Sequence, residues 1–121
     1  MKITITEFDD LGTRISLDGK LDIRGAGELD QPLSTVAATR RNIVVDMAAV
    51  DFISSMGIRH LVTAAKAIGR NGKVLCLLNP GALVSDVLRT AGLDEYLKVV
   101  RSEDEVRALL ITKADDPRQH T

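Results

Sequence analysis

Ser54 and Ser55 stand side by side ahead of an apolar series, Ile58, Leu61, Val62, Ala65 and Ile68, that recurs at helical spacing. Hydroxyls at a helix start meet free backbone N–H groups and the positive end of the helix dipole, surroundings that favour negative charge. One serine suffices to cap such a helix by accepting an orphan N–H, and capping does not require two in succession. A phosphoryl group at this place adds about −1.5 to −2 charges, which the helix start tolerates and a docked protein surface does not. The pair therefore reads either as a simple cap or as a phosphate-accepting switch that leaves the domain folded, and spacing alone leaves both open.

Other chemistry finds less support. A serine nucleophile needs a histidine base within reach, and His60, further along the same helix, points elsewhere, so no catalytic residue is expected. His60 and His120 have no Cys, His or carboxylate at metal-ligand spacing; both are expected on the surface, and no metal is implied. Cys76 lies between Leu75 and Leu77, where a buried thiol with a raised pKa is expected rather than a nucleophile. Gly25-Ala26-Gly27 lacks the further glycines and the Lys-Ser/Thr of a phosphate-cradling loop, so no nucleotide cofactor is expected.

The elements that must hold these residues follow from periodicity. Ile3, Ile5, Ile15 and Leu17 alternate around the turn residues Asp9-Asp10-Leu11-Gly12, which predicts an antiparallel hairpin. Gly19-Lys20-Leu21-Asp22 leaves the second strand, and Ala26, Leu29, Leu33, Val36 and Ala37 predict a helix in which Pro32 means a kink or a late start. Ile43 to Met47 reads as a central strand buried on both faces, followed by a connection through Val50-Asp51-Phe52-Ile53 to the serine helix, which stops at Asn71-Gly72. Val74 to Leu78 is a second buried strand, and Leu83, Val84, Val87 and Leu88 a third helix. Leu97 to Val100 is a short last strand, with Ser102 and Glu105 as a capping box for a final helix. The expected fold is α/β, a mixed and mostly parallel sheet packed with about four helices in the order β-β-α-β-α-β-α-β-α, over residues 1–112 with a flexible tail at 113–121.

The bulk composition narrows the partners. A chain of 121 residues with 45% hydrophobic residues supports one core and one domain. Three aromatic residues, two Phe and one Tyr, give no stacking platform for single-stranded nucleic acid. A formal net charge of −1 gives no field that would draw the chain to phosphate backbones or anionic lipids, so nucleic acid and membrane are not expected as partners. With one cysteine and no continuous apolar stretch after Met1-Lys2-Ile3-Thr4, a reducing cytoplasm is expected.

Two stretches resemble a known family. Gly19-Lys20-Leu21-Asp22 is similar to a Gly-x-Leu-Asp that leaves the second strand of STAS domains. Val44 to Ile58, with Asp51-Phe52-Ile53-Ser54-Ser55-Met56-Gly57, looks like the strand, loop and serine-bearing helix start of bacterial anti-sigma factor antagonists. The resemblance runs to about Ile111. It implies a non-enzymatic binding module with Ser55 as phosphoacceptor, two residues before Gly57, and Ser54 as the fallback. Ser54 stands where many members carry Asp or a small residue, and Met56 where many carry a second serine. The implied partners are an anti-sigma factor serine kinase, sequestered while Ser55 is unphosphorylated so that a sigma factor is released, and a metal-dependent serine phosphatase that restores binding. The implied contact surface is Asp22, Arg24, Ser54, Ser55, Met56, Gly57 and Arg59. Other STAS roles compatible with the same fold are a non-phosphorylated scaffold, as in a stressosome or a transporter-associated subunit, and a small-ligand sensor.

Overall fold

The computed structural model describes residues 1–93 and 96–114; the expected tail falls outside the described residues from 115 on, His120 included. The elements run β1 (Lys2–Phe8), β2 (Gly12–Leu21), α1 (Ile23–Ala37), β3 (Asn42–Ile53), α2 (Ser55–Gly69), β4 (Leu75–Leu78), α3 (Ala82–Thr90), β5 (Lys98–Val100) and α4 (Glu103–Ala114), the order expected. The strands form one mixed sheet, β1-β2-β3-β4-β5, with β3 at its centre. Only the β1–β2 hairpin is antiparallel; the remaining pairs are parallel.

Because successive parallel strands lie side by side, crossovers of the usual single hand place their helices on one face. Accordingly α1, α2 and α3 share one core, in which Leu29, Leu33, Leu61, Ile68, Val84 and Leu88 pack on Ile15, Leu17, Val45, Met47 and Leu77. The last helix makes no crossover and covers the other face, where Val106 and Leu110 meet Phe8, Val44, Cys76 and Val100. It is tied there by Arg107, whose Nε donates to Asp9 at 2.8 Å and whose guanidinium lies over the Phe8 ring, and by Arg14 on Glu103. Cys76 is buried, and burial pushes its thiol up to about 12.

With β2 to β5 running the same way, all four helices begin on one rim of the sheet, past the strand ends Leu21, Ile53, Leu78 and Val100. The opposite rim is closed by Asn42, whose Nδ2 donates to Leu11 O and whose Oδ1 accepts from Val74 N–H, both at 2.9 Å. Glu7 and Arg41 pair beside it through two hydrogen bonds of 2.7 and 2.9 Å.

Three features depart from the sequence reading. Pro32 does not delay α1, which starts at Ile23 because Asp22 caps it, accepting from Gly25 N–H at 2.8 Å. The expected connection at residues 50–53 is strand: β3 continues to Ile53 through two irregularities in its register with β2, each adding one residue to β3. Those insertions turn Val50 and Ile53 back to the core face after Met47, at a spacing of three rather than two. His60 is half-buried rather than at the surface, with Nδ1 3.8 Å from an Asp30 carboxylate oxygen on α1.

Candidate functional site

The two serines have different tasks. Ser54 is the cap of α2, with extended backbone at φ −93° and ψ 165°, and its Oγ accepts from Gly57 N–H at 3.2 Å. Its own N–H donates to Leu21 O at 2.8 Å, which continues the β2–β3 ladder past the end of β3 and pins the start of α2 to the end of β2. Ser55 is the first helical residue and is exposed, and its hydroxyl has no hydrogen-bond partner among the described residues. One hydroxyl is thus committed to the cap, and the other is presented to solvent at the helix N-terminus.

Two glycines make this geometry possible. A Cβ on Gly25 would lie 2.1 Å from Lys20 O, so the first turn of α1 runs against the backbone of β2. A Cβ on Gly57 would lie 2.7 Å from Leu21 Cγ and 2.9 Å from Leu21 Cδ2. Leu21 is fully buried, so α2 sits on β2 at a distance that only glycine permits.

Of the expected contact residues, the structure gathers Asp22, Ser54, Ser55, Met56 and Gly57 around the ends of β2 and β3. Their exposure differs. Ser55, Met56, Arg24 and Arg59 are exposed. Asp22 and Ser54 have their side-chain oxygens engaged as caps. Gly57 is buried, which corrects its expected place on the contact surface: it contributes the close packing of α2 on Leu21 and no exposed area. Arg24 projects into solvent with one long ion pair to Glu28 at 3.7 Å, and Arg59 makes no ion pair among the described residues.

The sequence reading missed an apolar surface beside the serines. Phe52, at the end of β3, is half-exposed, and Leu83 and Val87 stand out from α3. With Asp51, Ile53 and Val84 they line a cavity of about 210 Å³. A signal for it exists in the sequence. Leu83–Val87 and Val84–Leu88 are two adjacent i,i+4 rows, a wider stripe than one face of a short helix can bury.

The STAS domain family matches residues 2–106, and the chain belongs to that family. Over 99 residues it is 27% identical to the anti-sigma-F factor antagonist RsfB of Mycobacterium tuberculosis strain H37Rv, covering 80% of each chain. Over 116 residues it is 31% identical to BtrV of Bordetella bronchiseptica, assigned by name to the anti-sigma factor antagonists, covering 93% of this chain and 97% of that one. An anti-sigma factor antagonist from Mycobacterium paratuberculosis superposes with a TM-score of 0.82 at 21% identity, over 91% and 93% of the two chains. The antagonist SpoIIAA matches in its unphosphorylated form, with TM-score 0.74 and 18% identity over 89% and 96%. The phosphorylated Bacillus SpoIIAA matches with TM-score 0.69 and 17% identity over 89% and 99%. At these identities the structural matches establish the STAS fold. No helix among the described residues is long and apolar enough to cross a membrane.

Proposed function

We propose that the chain is a cytoplasmic anti-sigma factor antagonist that docks on an anti-sigma factor serine kinase while Ser55 is unphosphorylated, releasing a sigma factor, and that phosphate on Ser55 ends the docking. The observation that carries this reading is the division of labour between the serines: Ser54 caps α2, and the exposed Ser55 hydroxyl is unengaged. Relatives named as anti-sigma factor antagonists support the partner class, and a SpoIIAA structure in a phosphorylated form supports the switch by analogy. The chemistry agrees. Phosphate at the first position of α2 faces the helix dipole and free N–H groups, so the folded antagonist accommodates it, while an apposed protein surface would have to desolvate two negative charges.

The test is incubation of the full chain with each purified anti-sigma factor serine kinase of the source genome and ATP, with site mapping by mass spectrometry and titration of binding. Phosphate on Ser55, binding kept by Ser55→Ala and weakened by Ser55→Asp, supports the reading. Phosphate on Ser54 instead moves the acceptor. Neither phosphate nor any effect of the Ser55 variants refutes the switch and favours a non-phosphorylated scaffold.

A further inference from the structure

We propose that the cavity between β3 and α3, lined by Phe52, Ile53, Leu83, Val84 and Val87, is the anchor pocket of the docking surface, and that it takes one large apolar side chain of the anti-sigma factor kinase. This rests on the functional reading above. Ile23, Phe52, Met56, Leu83 and Val87 are five of the eight large apolar side chains exposed among the described residues, at 73, 50, 41, 73 and 40%. All five lie near the rim where the helices begin: Phe52 near the end of β3, Ile23, Met56 and Leu83 in the first turns of α1, α2 and α3, and Val87 one turn further along α3. Apolar exposure concentrated in this way marks an interaction surface.

The pocket is sized for a single anchor. Its volume of about 210 Å³ exceeds the roughly 150 Å³ cavity that admits benzene, and Asp51 is the one charged residue on its wall. Anchors of this kind, a desolvated apolar side chain in a preformed pocket, carry most of the energy of an interface. The position identifies the occupant. Ser55 follows Ile53 by two residues, so a kinase that brings a nucleotide phosphate to the Ser55 hydroxyl must cover the surface next to it. A second copy of this chain has no reason to approach Ser55. The same proximity gives the phosphate its leverage, since the new charge lies at the edge of an apolar contact and must be desolvated for the anchor to seat.

The experiment is isothermal titration of the full chain into the kinase identified above, comparing wild type with Leu83→Ser, Val87→Asn and the double variant. Ile5→Ser, an exposed apolar residue on the remote strand β1, serves as control. Both test positions are solvent-exposed, so melting temperatures should stay near wild type. The expected result is at least about a tenfold loss of affinity for the double variant and none for Ile5→Ser. Wild-type affinity in the double variant, with Ser55 still phosphorylated, overturns the anchor and leaves the switch standing. A dimer in sedimentation that the double variant abolishes, with kinase binding unchanged, gives the pocket to a second copy and also overturns it. A wild-type chain that no kinase binds or phosphorylates overturns the functional reading and the anchor together.

Discussion

At the scale of the residue, Ser54 and Ser55 have the same chemistry and opposite employment. Removing the Ser54 hydroxyl orphans Gly57 N–H, so Ser54→Ala should cost about 1 kcal/mol in urea denaturation and leave phosphorylation on Ser55. Ser55→Ala touches no bond and should change stability by less than about 0.5 kcal/mol. Arg59, exposed and without an ion pair among the described residues, stands four positions beyond Ser55 on the same helix face. Phosphate on Ser55 should therefore raise the melting temperature of wild type more than that of Arg59→Ala. Cys76 should resist thiol reagents until the chain unfolds. Its raised pKa favours the folded state fully below the ordinary thiol value of 9.0, and that contribution fades as pH climbs towards about 12. The serine pair was legible in the sequence because a helix start is a local pattern. Which serine caps and which is free depends on backbone angles and on the Leu21 carbonyl, which no spacing encodes.

Among the elements, the junction of β2, β3 and α2 sets the site, and two glycines hold it. Gly25→Ala drives a Cβ into the Lys20 carbonyl, a backbone atom that cannot step aside, and should prevent cooperative folding as followed by circular dichroism. Gly57→Ala meets the buried Leu21 side chain instead and should cost about 1–3 kcal/mol by overpacking, read as an earlier urea midpoint. The helices, the hairpin and the two buried strands follow from their periods. The far half of β3 does not, because its inserted residues space Met47, Val50 and Ile53 three apart and so mimic a loop. The early start of α1 was hidden by Pro32, which weakens a helix interior yet did not outweigh the Asp22 cap and a buried apolar face. The exposed row of α3 was legible only as an apolar stripe too wide for one face, because apolar residues at helical spacing otherwise look like core whether or not a neighbour covers them.

For the whole molecule, the sheet divides its labour between rims. The rim away from the serines is fastened by Asn42 and by the Glu7–Arg41 pair, whose hydrogen bonds hold the Glu7 carboxyl below its usual value of 4.5. A lowered carboxyl pKa stabilises the fold above the unfolded value and loses that contribution as pH falls through the folded one. Acid unfolding of Glu7→Gln should therefore show a slightly shallower pH dependence below 4.5 than wild type, measured as urea midpoint against pH. The rim that carries Ser55 is fastened just as firmly, through the bond from Ser54 N–H to Leu21 O. That bond has a consequence in time. If Ser55 is the acceptor proposed above, its phosphorylated and unphosphorylated forms should differ in surface charge and share one backbone, with no slow rearrangement between them. Stopped-flow mixing with the partner should give a single concentration-dependent phase with no lag. Under the proposed switch, the pace of the response would belong to the enzymes that add and remove the phosphate, and the domain itself would keep no record of its previous state.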